Sequence, residues 1–218
     1  MSLSTASPEK SSTIERLFRR VLGRRGRGQS FIEAMVAITI IVTSITSALA
    51  LVQSSINASR VSGTQVIAAN LAREGLEVVR AVRDSNWLAG NTFQLGLTDV
   101  ANKTALAALN RATGQWSLVF GAYTIDSAAA TLWQASDGLY LQAAAQPAGT
   151  SAAPYARLLT LNHLCRDNTT GAERIVSAGT CNGGETFVGL SVLSTVKWIA
   201  GAGAKRQLSA EERLYDWR

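Results

Sequence analysis

A run of about 22 nearly uncharged residues beginning at Phe31 constrains this chain more than any other feature, because that is the length at which a helix crosses a bilayer core. The run reads FIEAMVAITIIVTSITSALALV and is separated only by Gln29 and Ser30 from the basic stretch RRGRG that ends at Gly28. One residue does not suit a simple anchor. Glu33 stands three residues into the run, where an ionisable side chain costs on the order of 2.5–3.5 kcal/mol at a helix centre and less near an end.

The formal charge of the 218-residue chain is +6, which by itself suggests a nucleic-acid partner. Its location removes that reading. Residues 1–28 hold seven basic and two acidic residues, a net of +5, and the remainder holds 14 basic and 13 acidic, a net of +1. A basic block directly before an apolar helix is the positive-inside pattern, which keeps the N-terminus cytoplasmic and sends the C-terminal part across the membrane. The only two cysteines, Cys165 and Cys181, then lie outside. On an oxidising side a disulfide is their expected use, and closing a loop of roughly 15 residues contributes about 3 kcal/mol in the chain-entropy model. A metal site from His163, Cys165 and Cys181 is the alternative, and it is short of ligands.

Beyond residue 52 the period becomes that of an amphipathic helix. Ile67, Leu71, Val78 and Val82 fall on one face around Gly75, and Arg73, Glu77, Arg80 and Asp84 fall opposite. Arg73 with Glu77 and Arg80 with Asp84 are i,i+4 pairs and Glu77 with Arg80 an i,i+3 pair, the marks of a solvated face. The helix is expected from Gln29 to about Asn86, roughly 85 Å at 1.5 Å per residue. Gly90 ends it, and residues 100–109 read as a short second helix. Strand signals come next at 116–125, 138–142, 155–161 and 187–198, and 207–217 closes the sheet. In 187–198, Val188, Leu190, Val192, Val196 and Trp198 share the core face against Ser191, Thr195 and Lys197. Residues 143–154 read as a loop. The expected fold class is α+β, a long N-terminal helix packed by its second half on an antiparallel sheet.

These residues resemble the N-terminus of type IV pilins and of the pseudopilins of type II secretion systems. The match is a basic leader ending in Gly28, then an apolar helix whose fifth residue is glutamate (Gln29, Ser30, Phe31, Ile32, Glu33). Secondary likenesses to minor pilin-like proteins are LAREGLEVVRAVRDSNW from Leu71, VKW from Val196 and the terminal LYDWR. The resemblance implies a prepilin peptidase that cuts after Gly28 and methylates the new amine of Gln29. It implies an assembly segment of Phe31, Ile32 and Glu33, with Glu33 meeting the N-terminal amine of a neighbouring subunit. A carboxylate in apolar surroundings is less costly when a cation pairs with it, so a mis-registered subunit would leave it unpaired.

The chain departs from the pattern twice. Gln29 stands where many members have phenylalanine, and Ala50 stands where major pilins commonly carry a helix-bending proline. The second departure points to a minor pilin or pseudopilin. The implied organisation is a removable leader over 1–28, a membrane and assembly helix over 29–53, its extracytoplasmic continuation over 54–88 and a β-rich head over 89–218. The implied partners are other pilin subunits, the peptidase, an inner-membrane assembly platform and membrane lipid.

Other readings carry less. Ala48-Leu49-Ala50 has the small-x-small form of a signal peptidase site, which would make the chain a secreted or membrane-anchored binding domain. Glu33 within the apolar run and a helix continuing past Ala50 argue against it. The twin arginines Arg24-Arg25 lie in a stretch already dense in arginine. His163, Cys165 and Asp167 lie together in HLCRD, a thiol and base cluster, but alternating residues near a strand end need not point at one substrate, so no enzyme and no cofactor is expected. Asn182-Gly183 reads as a turn. Trp116, Trp133, Trp198 and Trp217 read as core, since no basic stripe accompanies them to make a nucleic-acid platform.

Overall fold

The computed structural model describes residues 29–177, 180–200 and 203–216. Residues 1–28, read from the sequence as a leader ending at Gly28, and Trp217 of the terminal motif lie outside the described residues. The chain divides into two compact units, one ending at Ile56 and the other running from Asn57. A single α-helix, α1 (Gln29–Leu88), contributes to both. The fold is α+β, one long apolar N-terminal helix and an antiparallel eight-stranded sheet.

In the second unit α1 buries one stripe. Ala68, Leu71, Ala72, Gly75, Leu76 and Val79 are its centre, at the i, i+3, i+4 spacing of a helix laid on a sheet. Ile67, expected on that face, is exposed, because the small Ala68 and Ala72 set the line of closest approach. The helix stops where expected. Gly90 adopts φ +72°, its N–H donates to the Trp87 carbonyl and Asn91 N–H donates to the Asn86 carbonyl, closing a Schellman motif.

The strands are β1 (Thr104–Asn110), β2 (Gln115–Phe120), β3 (Thr131–Ala135), β4 (Tyr140–Gln142), β5 (Thr150–Asp167), β6 (Glu173–Val176), β7 (Glu185–Ile199) and β8 (Lys205–Tyr215), with a 3-10 turn at Ala128–Ala130 before β3. The 18-residue β5 is the hub. It pairs with β7 over Tyr155 to Asp167 on one edge, and with β3, β1 and β6 in succession on the other. β2 lies beyond β1, β4 beyond β3 and β8 beyond β7.

Two local expectations fail for one reason. Residues 100–109 do not form a helix, because Thr104–Asn110 is β1, hydrogen-bonded in a hairpin to β2. The loop expected over 143–154 ends early, since β5 begins at Thr150. Alanine-rich segments favour helix or irregular backbone by only a few tenths of a kcal/mol per residue, and a waiting strand edge outweighs that. Pro154 leaves its trace as an irregular register between β3 and β5, as a residue without an N–H must. The short strands β3 and β6 carry too little alternation to be legible.

A bulge in β7 re-aims a side chain. Leu164 pairs with Gly189 but Cys165 with Phe187, so Val188 is the extra residue. The change of parity puts Phe187, rather than Val188, against the core, beside Phe93 and His163. A Cβ on Gly189 would lie 2.1 Å from the Leu214 carbonyl oxygen, so only glycine fits there. The core is two clusters under α1. One gathers Leu76, Val79, Trp87, Phe93, Leu159, Leu161, Leu190 and Val192. The other gathers Ala68, Leu71, Ala72, Leu132, Tyr155, Val196 and Trp198.

Candidate assembly site on the apolar helix

In the first unit every described side chain from Ser30 to Ile56 is exposed. The surface is built from Ile, Val, Leu, Met and Ala, and near the start Phe31 and Ile32 are 68% and 66% exposed. By length and composition this helix is able to cross a membrane. Five of its hydroxyls are matched to such surroundings. Thr39 donates to the Met35 carbonyl (2.8 Å), Thr43 to Thr39 (2.9 Å), Ser44 to Ile40 (2.6 Å), Thr46 to Val42 (3.0 Å) and Ser47 to Thr43 (2.7 Å). Each hydroxyl hydrogen is thus used inside the helix, which lowers the cost of placing the group where water is absent.

Glu33 is the one ionisable group between Gln29 and Arg60. It stands four residues, about one helical turn, beyond Gln29 in the sequence. No ion pair to Glu33 occurs among the described residues. The segment therefore presents an apolar surface with one carboxylate near its start, a feature a cation from another molecule can complete.

The head joins Cys165 to Cys181 in a disulfide with Cα atoms 5.7 Å apart. Cys165 is buried on β5, and the bridge ties it to the segment that comes after β6. The thiol is consumed, so His163 has no nucleophile beside it. The His163 ring meets Phe187 edge-on at 5.2 Å, and burial lowers its pKa. Asp167 caps the turn after β5, accepting from the N–H groups of Thr170 and Thr169, which lower its pKa. Sequence neighbours in HLCRD thus serve three separate structural tasks. Among the described residues no group of three His, Cys, Asp or Glu side chains is gathered for a metal. The expected turn is present, with Gly183 and Gly184 at its centre and Glu185 N–H donating to the Asn182 carbonyl to close it.

The charged face of α1 is only partly as expected. Arg80 pairs with Glu77 (2.5 Å), but its other nitrogen turns to Glu212 of β8 and not to Asp84, which pairs with Arg83. Packing on the sheet brings a carboxylate that local spacing does not reveal. Of the tryptophans, Trp198 is core, Trp116 packs half-buried against the cluster around Leu159, and half-buried Trp133 donates to the Ala143 carbonyl. Arg83 stacks over the ring of buried Trp87 at 4.6 Å.

The group that sequence reading missed is Arg157. It sits within the apolar strand sequence YARLLTL, its signal being one charge in a buried run. It is completely buried under α1. Nη1 donates to the Leu71 carbonyl (3.2 Å) and lies 3.3 Å from Glu74 Oε1, while Nε donates to Gln142 Oε1 (3.3 Å). Burial pulls its pKa down and Glu74 opposes that. Beside it Gly75 has no room for a side chain, since a Cβ would lie 2.5 Å from Ser194 Oγ and 2.9 Å from Leu159 Cδ2. This polar contact and the missing Cβ together set how closely the second half of α1 approaches the sheet. Compared with protein-family models, curated proteins and solved structures, the chain matches none.

Proposed function

We propose that the chain is a non-catalytic structural subunit, a minor pilin or pseudopilin, of a type IV pilus or type II secretion-like filament. It is made as a single-pass precursor in a bacterial inner membrane, with its N-terminus cytoplasmic and its head outside, and is cut after Gly28 by a prepilin peptidase that methylates Gln29. The first half of α1 then moves from lipid into contact with neighbouring subunits on an assembly platform, and Glu33 sets the register through the neighbour's amine. The observation that carries this reading is the fully exposed apolar helix whose single carboxylate lies one turn beyond Gln29. A disulfide in the head agrees with an extracytoplasmic location.

Intact mass and N-terminal sequencing of the cellular protein test the proposal. A chain starting at methylated Gln29 is expected, and a start at Leu51 would identify signal peptidase and a secreted domain instead. Glu33→Ala is expected to leave membrane insertion intact and to reduce incorporation into the filament. Normal incorporation would remove the role given to that carboxylate.

A further inference from the structure

The end of the head where α1 enters it carries an excess of unpaired cations. Ala68 and Leu71 of α1 pack with Trp198 and Ala200, so the connection from β7 to β8 lies at the end of the sheet nearest Asn57. Val79 and Trp87 pack with Leu190 and Leu214 at the opposite end. Arg60 stands on α1 just after Asn57, and Lys205 and Arg206 open β8. All three are exposed, and none has an ion-pair partner among the described residues. The carboxylates near this end are taken, since Asp126 holds Lys197 of β7 and Asp137 pairs with Arg111. Elsewhere the balance is reversed. The described carboxylates of the second unit without an ion pair are Asp99, Asp167, Glu211 and Asp216, which lie midway along the sheet or at its other end. The remaining described cations without one are Arg73 and Lys103. Ile199, 61% exposed, faces Lys205 across the ladder, so an apolar side chain stands among the cations.

We propose, on the reading of the first half of α1 as a membrane span, that this end of the head rests on anionic phospholipid headgroups of the bilayer which that span crosses. Chain connectivity supplies the partner. The apolar run ends at residue 52 and Arg60 follows eight residues later, about 12 Å of helix, so the entry end of the head is the end tethered beside the bilayer surface. An anionic surface attracts cations within about a Debye length, near 10 Å at 0.1 M salt. Lys205, Arg206 and Arg60 suit that contact because each carries its charge at the tip of a long side chain that reaches beyond its backbone. Ile199 adds an apolar group of the kind that enters the boundary between headgroups and acyl chains. An acidic protein or a nucleic acid offers the same charge, but neither is held next to these residues by the chain itself. The contact keeps the head oriented on the membrane until assembly lifts it away.

The test places the full chain in lipid nanodiscs, one set of phosphatidylcholine alone and one of three parts phosphatidylcholine to one part phosphatidylglycerol. Ile199→Cys supplies a free thiol for a fluorescent label, since Cys165 and Cys181 are joined to each other. Its exposure is read by quenching with acrylamide, which is uncharged. Leu95→Cys is the control, 53% exposed and held near Asn86 at the opposite end of the head. Quenching at residue 199 is expected to be about threefold weaker in discs with phosphatidylglycerol, as for a head that is mostly docked. It is expected to recover in 1 M salt, where the Debye length falls to about 3 Å. The control label is expected to respond to neither change. Reversing two exposed charges, Lys205→Glu with Arg206→Glu, is expected to abolish the difference, and Arg60→Glu on the other element to reduce it. Equal quenching at residue 199 in both lipids, or a difference that survives the reversal, overturns the proposal. Shielding that follows the number of chains per disc and not the lipid identifies a second copy as the partner and overturns it too. A chain that does not co-elute with the discs overturns the membrane span and the docking together, whereas one that co-elutes and ignores the lipid overturns the docking alone.

Discussion

The two halves of α1 share one backbone and are fitted to different surroundings. From Ser30 to Ile56 the helix is predominantly apolar and exposed on every side, five of its hydroxyls bond to carbonyls one turn earlier and it holds one charge. From Asn57 to Leu88 it is charged on one side and buried along one stripe, with Gly75 at the line of contact. A helix apolar all round needs an apolar environment, and a helix with one apolar stripe needs one packed neighbour. The first half is thus specified by what it lacks, the second by where its small and large residues fall.

Paired substitutions sharpen that contrast, and the largest effect belongs to leucine. Leu71 is 3% exposed and Leu51 is 72% exposed. Leu71→Ala is expected to cost the head about 2–5 kcal/mol in denaturant unfolding of the full chain in detergent, and Leu51→Ala less than about 0.5 kcal/mol. Equal costs would break the comparison. The glycines divide by position within the second unit. Gly75→Ala forces Ser194 and Leu159 aside and is expected to cost about 1–3 kcal/mol. A Cβ on Gly63 meets nothing within 4 Å, so Gly63→Ala is expected to stabilise by about 0.5–1 kcal/mol through helix propensity.

Arg157 asks whether the second half is held by its charge or by its shape. Glu74 is partly solvated, with 38% of its side chain exposed, and keeps water when its partner is removed. Arg157→Met, which fills a similar volume without a buried charge, is expected to leave the unfolding free energy unchanged or to raise it by about 1 kcal/mol. A large loss would show that the hydrogen bond to the Leu71 carbonyl governs the docking. The smallest effect is a pH slope. His163 has a folded pKa depressed by burial, so the unfolded chain binds its proton first as acid is added. The stability owed to neutral His163 is present above the unfolded value of about 6.5 and is lost as pH falls through the folded pKa. His163→Phe is expected to flatten the unfolding midpoint over that window.

Legibility in the sequence tracks the length over which a pattern repeats. The long helix, its end at Gly90 and the strand 187–198 are readable because many residues agree on one period. β1 is not, since TALAALN carries alanine's helical preference and only its partners make it a strand. Phe187 reads onto the wrong face because a bulge shifts parity by one residue and leaves no mark in composition. Arg157 stands in plain view as a charge in an apolar strand, but its partners come from β4 and from a helix 86 residues away.

What the sequence by itself determined is the local and the periodic: the α+β class, an apolar helix able to cross a membrane with its single carboxylate at Glu33, the amphipathic second half and cysteines suited to pairing. Tertiary structure alone decided which small residues set the approach of helix to sheet, which carboxylate Arg80 takes, which way Phe187 points and which end of the sheet gathers unpaired cations. The physical reason is range. Hydrophobic period and turn chemistry act over a few residues and are written along the chain, whereas register, parity and the partner of a buried charge exist only after distant strands have paired.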